Sequence, residues 1–231
     1  MSVDKDPWFL FAGPTLYGLR STALTLPAGV VSLPPAKRGD IAKLVEENPP
    51  SVIVLVDGLF HQNPSVGHRE LISAIDEGWV VWGLSSIGAI RARELLQYGM
   101  KGFGRVFRMF TQIEDFRDDE VALLHEPGPP YRRISEPLVN IRDWLCELSE
   151  EGTISQEQSA KVIASLSNRW FGDRSLEIVS REVAEIIKVG RDQVFVRLRR
   201  DIEMHRIKTF DLQEFLRTKV TRSEKNGSGL L

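Results

Sequence analysis

A chain of 231 residues can bury a full core, as one domain with an extension or as two small ones. Its 30 basic and 32 acidic residues leave a net charge of −2, which argues against a nucleic-acid binder, whose footprint is a basic excess. One cysteine rules out an intrachain disulfide and fits a reducing compartment. No apolar run approaches the roughly 18–20 residues of a membrane span, and MSVDKDPWFLFAGP lacks the basic region and cleavage pattern of a signal peptide. A cytoplasmic protein without a membrane segment is the expectation.

Taken in chain order, short apolar runs alternate with helical patterns over the first 110 residues. Trp8–Ala12 reads as a first strand ended by Gly13-Pro14, Val30–Leu33 as a second ended by Pro34-Pro35, and Val52–Val56 as a third ended by Asp57-Gly58. Val80–Gly83 is the fourth and Arg105–Phe110 the fifth. Helices are expected at Ile41–Glu47, Pro64–Glu77 (with Asn63-Pro64 as its start) and Ile87–Tyr98. Near-continuous apolar strands separated by helices predict an α/β fold, an open and mostly parallel sheet of about five strands. Beyond residue 111 an acidic stretch and Glu126-Pro127-Gly128-Pro129-Pro130 precede helical spacing at Leu138–Leu148, Gln156–Leu166, Leu176–Lys188 and Gln193–Lys208. The expected organisation is a core domain over 1–145, a helical extension over 146–219 and a flexible tail over 220–231. Cys146 shares an apolar pattern with Ile141, Leu145 and Leu148 and is expected to be buried packing.

In an open α/β sheet, ligands sit beyond the carboxyl ends of the strands, and here glycine-rich and polar residues gather at that end of every strand. The fourth strand runs through Gly83 and Leu84 into Ser85-Ser86 and the helix Ile87-Gly88-Ala89-Ile90-Arg91. A strand, a tight serine turn and a helix can hold an anion or host a nucleophile, although a plain helix cap uses the same residues. The spacing is not G-x-S-x-G, since the second glycine is displaced by one position. His61 follows the third strand close to Asp57, a pairing that would orient an imidazole. His68 falls with Leu71, Ile72 and Ile75, the pattern of a histidine in the core. Arg91 and Glu94 stand at the margin of a buried face, either as an ion pair or as an anion-orienting arginine with its partner. Asp40 is placed as the N-cap of its helix. Asp118, Asp119 and His125 form the weakest alternative, an oxygen-rich cation site, against the plainer reading of a solvated charge run. No phosphate loop, dinucleotide fingerprint or zinc spacing occurs, so no cofactor is expected.

The same residues resemble the TfuA-like family. The resemblance is carried by Gly13-Pro14-Thr15, by Pro34-Pro35-Ala36-Lys37-Arg38-Gly39-Asp40, by Asp57-Gly58-Leu59-Phe60 and by His68-Arg69-Glu70. It continues through Ser85-Ser86-Ile87-Gly88-Ala89-Ile90-Arg91-Ala92-Arg93-Glu94, Gly99-Met100-Lys101-Gly102-Phe103-Gly104 and the run Asp118–His125. Ile87 replaces the methionine expected of the family, Ile90 the leucine, and Gly67 a tryptophan that commonly precedes His68. What the resemblance implies is an accessory role in peptide-backbone thioamidation beside a YcaO-type, ATP-dependent enzyme. The protein would hydrolyse or transfer the C-terminal thiocarboxylate of a sulfur-carrier protein, with a precursor peptide as a further partner. The alternative is a non-catalytic adaptor that recruits peptide or carrier. On the enzymatic reading Ser86 or Ser85 is the nucleophile, and His61 or His68 is the base, oriented by Asp57 or Glu70. Substrate contacts are expected from Gly13, Thr15, Arg38, Asp40, Gly88, Arg91 and Glu94.

Overall fold

The computed structural model describes residues 7–16, 26–59, 64–114 and 116–221. Two compact units make up the chain, one of residues 1–116 with 208–231 and one of 117–207. The second unit therefore begins before the expected boundary at 145, and the chain returns to the first unit at Lys208.

The first unit is an α/β fold. Five strands, β1 (Trp8–Phe11), β2 (Val30–Leu33), β3 (Val52–Leu55), β4 (Val80–Leu84) and β5 (Lys101–Phe103), form one sheet in the order β2-β1-β3-β4-β5. Every pairing is parallel. Helices α1 (Asp40–Glu47), α2 (His68–Asp76) and α3 (Ile87–Glu94) fall between the strands, and α4 (Gly104–Gln112) follows β5. Strand order reverses between β1 and β3, which makes the carboxyl ends of those two strands the topological switch point.

One face of the sheet presents Leu10, Val54, Val56 and Leu84, which pack against Leu212, Phe215, Leu216 and Val220 near the C-terminus. Phe215 meets the rings of Trp8, Trp82 and Phe103 edge-on, with centroids 5.3–6.1 Å away. Val220, expected in a flexible tail, is thus a core residue; residues 222–231 lie outside the described residues.

Three expectations are corrected in this unit. Arg105–Phe110 is not a strand but the body of α4, because Val106 and Phe110, four residues apart, bury one helical face. The true fifth strand is the three-residue run before it, too short and too glycine-rich to show alternation. Helix α2 starts at His68 rather than Pro64, because Glu70 at the third helical position reaches back to the Gly67 N–H at 2.6 Å. Finally, Asp40 is the first residue of α1 and Gly39 is its N-cap.

The second unit contains α5 (Leu138–Glu150), α6 (Gln156–Ser167), α7 (Leu176–Ile187) and α8 (Arg191–Asp201). Their core joins Leu138, Ile141, Trp144, Leu145, Val162, Leu166, Val179, Val183 and Leu198. Cys146 is exposed, one residue and about 100° round the helix from buried Leu145. The helix expected over Gln193–Lys208 is interrupted by a 3₁₀ segment, Ile202–His205, before α9 (Ile207–Phe215). His205 Nδ1 and Nε2 lie 3.0 and 2.8 Å from Asp143 and Glu147 of α5, a tertiary contact that competes with continued α-helix.

The acidic run after residue 117 is structural. Arg174, fully buried, donates to the Asp119 carboxylate at 2.5 Å and to its carbonyl at 2.8 Å, and Arg142 grips Glu120 through two bonds of 2.9 and 2.7 Å.

Candidate functional site

The loop ends gather as expected above the strands, but the first of them is already filled by the protein itself. Asp57, buried just past β3, accepts the Gly13 and Thr15 N–H groups on one oxygen, both at 2.9 Å. Its other oxygen accepts the Thr15 hydroxyl at 2.7 Å. A carboxylate therefore sits at the start of the helical turn Pro14–Leu16, where a phosphate would rest in a nucleotide-binding sheet. Gly13 and Thr15 thus place three hydrogen bonds on Asp57, which ties the loop after β1 to the end of β3. His61 lies outside the described residues.

The next feature is the turn between β4 and α3. Ser85 has φ 63°, a left-handed conformation that L-residues with a side chain rarely adopt. The bend brings α3 down onto the sheet so closely that only glycine fits at two places. A Cβ on Gly88 would lie 1.8 Å from the Leu55 carbonyl oxygen, and one on Gly83 would lie 2.0 Å from the Gly88 carbonyl oxygen. Strain at Ser85, with glycines before and after it, gives a tight strand-to-helix turn of the general kind that carries a nucleophile elbow, with the strain one residue before Ser86. The displaced second glycine serves the same close approach from one residue further along.

The two serines then divide. Ser85 Oγ donates to the Lys208 carbonyl at 2.8 Å and is fully buried. Ser86 occupies the N-cap of α3 without making a side-chain cap bond, and 2% of its surface is open. Among the first N–H groups of α3, that of Gly88 goes to Val56 O and those of Ala89 and Ile90 go to Ser86 O. No acceptor for the Ile87 N–H is found among the described residues, and it lies in the first turn of α3, at the positive end of the helix dipole. Gly88 is accordingly held by close packing against β3.

Further along α3, His68 Nε2 and Arg91 Nη1 both lie 2.7 Å from Glu94 Oε2, and Arg91 Nε donates to Val66 O at 3.0 Å. Partial burial works to protonate Glu94, but the bonds and charges of His68 and Arg91 outweigh it and hold the carboxyl below its usual value. His68 is half exposed rather than in the core, and its orienting partner is Glu94, not Glu70 or Asp57. Ser86 and Glu94 are eight residues apart, about 12 Å along the helix axis, so the structure does not bring His68 to the serine turn.

Glu70 instead bridges backbone, accepting the Gly39 N–H at 3.0 Å as well as that of Gly67. That bridge ties the turn after β2 to the start of α2. Asp40 Oδ2 accepts the Lys37 N–H, and the Arg38 N–H donates to Pro64 O, so this turn holds its own shape. Asp118, Asp119 and His125 form no cation site: among the described residues no group of three or more ligating side chains comes together. Asp119 is paired with Arg174 and Arg117, and His125 Nδ1 lies 2.6 Å from Glu126 O.

Sequence reasoning missed Asp211. Its carboxylate, on α9, accepts the N–H groups of Arg105 and Val106 at 2.7 and 2.9 Å and so caps α4. Burial raises this carboxyl to about 6, outweighing the two backbone bonds and the charges of Arg108 and Arg105. A Cβ on Gly104, at φ 94°, would collide with it. Thr209 donates to Thr15 O at 3.1 Å. With the Ser85–Lys208 bond, these contacts lay the first turn of α9 across the ends of β1, β4 and β5. Only the glycine at 104 hinted at such a neighbour.

No helix among the described residues is long and apolar enough to cross a membrane. Residues 57–175, just over half of the chain, match the model of a family described as TfuA-like protein. No curated protein matches the chain.

Proposed function

Because this chain belongs to the TfuA-like family, which supports a role in YcaO-associated thioamidation, we propose that it delivers sulfur by cleaving or transferring the C-terminal thiocarboxylate of a sulfur-carrier protein. The observation that carries this reading is the strained serine turn, with Ser85 at φ 63° and Ser86 uncommitted at the head of α3. Ser86 Oγ attacks the thiocarboxylate carbon. The oxyanion of the tetrahedral intermediate develops beside the Ile87 N–H and the positive end of α3. The C–S bond then breaks, hydrosulfide leaves, and the carrier is held as an ester on Ser86. Water cleaves that ester and returns the carrier with a carboxylate.

The proton on the Ser86 hydroxyl needs a base. His61 is assigned this role, since His68 is bound two turns away at Glu94. Gly58, three residues before His61 in sequence, packs its backbone on Ile87 so tightly that a Cβ would lie 2.9 Å from that side chain. The ATP-dependent step belongs to the YcaO-type partner, and the precursor peptide is that partner's substrate.

A second reading is favoured by the burial of both serines and the bond from Ser85 to Lys208: the protein is an adaptor that docks the carrier without reacting. The two are separated by Ser86→Ala. As an enzyme, the variant keeps carrier binding and loses sulfide release by at least about 100-fold. As an adaptor, wild type and variant bind carboxylate and thiocarboxylate carriers alike, and neither releases sulfide.

A further inference from the structure

The helical unit of residues 117–207 encloses a cavity of about 140 Å³ that the serine turn has no part in. Its walls are mostly apolar, formed by Trp144 and Leu148 of α5, Val183 and Ile187 of α7, and Val194 of α8, with the uncharged Thr153, Gln158 and Gln193 also lining it. Trp144 is fully buried, yet its indole Nε1–H has no acceptor among the described residues. Buried donors are nearly always satisfied, and an indole N–H in a core usually finds a partner. The charged residue of the lining is already used: Arg197 donates to Asp201, Thr153 and Glu151, so the cavity offers no uncommitted charge to a ligand. Val189, which also lines it, is 41% exposed and connects the cavity with the surface.

We propose that this cavity binds a compact, uncharged, apolar molecule, about the size of a six-membered ring, that carries one hydrogen-bond acceptor. Size fixes the first part, because apolar cavities of around 150 Å³ stay dry and take up a molecule such as benzene. The orphaned indole N–H fixes the second, because an acceptor placed against it replaces a missing bond while a plain hydrocarbon leaves it unmade. Arg197 fixes the third, since a charged ligand would enter an apolar space without a counter-charge.

Cyclohexanone and benzene are the matched probes, one with an acceptor and one without. In a titration of ¹⁵N-labelled protein, cyclohexanone is expected to move the Trp144 indole N–H resonance saturably. Trp144→Phe identifies that resonance among the five tryptophans, and it keeps an aromatic ring while removing the donor. It is expected to weaken cyclohexanone about tenfold and to leave benzene unchanged. Absence of saturable shifts with the wild-type protein overturns the site. Equal weakening of both probes by Trp144→Phe overturns the role of the indole N–H.

Discussion

Asp57 is a buried carboxylate that holds the loop after β1 in place. Three donors converge on it, two of them backbone N–H groups of the loop after β1. Asp57→Asn would turn an N–H donor toward those donors and remove the charge. We expect a loss of about 2–3 kcal/mol in unfolding free energy, measured by urea denaturation. Thr15→Val, which removes one bond of the three, should cost about 1 kcal/mol. If the switch point were a substrate site instead, both variants would weaken carrier binding and leave stability nearly untouched. Ser86 makes the opposite case: it supports no cap bond, so Ser86→Ala should barely alter stability and should act on chemistry alone.

At the scale of elements, the approach of α3 to the sheet is fixed by glycine. Gly88→Ala places a methyl 1.8 Å from a carbonyl oxygen of β3, which no rotamer change can relieve. The helix must retreat, at about 3 kcal/mol or more in denaturant unfolding. A near-neutral variant would mean that the helix is free to shift.

Elements with strong internal signals were legible in the sequence. VIVLV and WVVW carry their strand character in consecutive apolar residues, and Ile87-Gly88-Ala89-Ile90 follows directly as α3. What was not legible depends on contacts made far along the chain. The cap that Asp211 places on α4 spans more than a hundred residues, and without it Arg105–Phe110 reads equally well as strand or helix. His205 likewise ends a helical pattern that is continuous in sequence. Of the candidate site, the serine turn between β4 and α3 and the pairing of Arg91 with Glu94 were legible as structure. It was illegible in its partners: Asp57 and Glu70 were expected to serve histidines, and both serve backbone N–H groups, which leave no trace in the order of residues.

Over the whole molecule, the C-terminal helix links stability to pH. Asp211 has a carboxyl raised from 3.8 to about 6 in the folded protein. Between those values the folded chain holds a proton that the unfolded chain has lost. Stability therefore falls as pH rises through this window, by up to about 3 kcal/mol, opposite in sign to an ion-paired carboxylate. Asp211→Asn should flatten that part of the profile in chemical denaturation between pH 4 and 7; an unchanged slope would assign the dependence to other groups.

The same helix covers Ser85 while Ser86 stays at the head of α3, and in the proposed reaction ATP serves the YcaO-type partner while the carrier is the substrate of Ser86. The direct test is to mix the purified protein with a thiocarboxylated carrier, without ATP or a YcaO-type enzyme, and to follow sulfide. The account predicts release over many turnovers, with the carrier recovered as carboxylate. A carrier that binds but keeps its sulfur would contradict it and leave the adaptor.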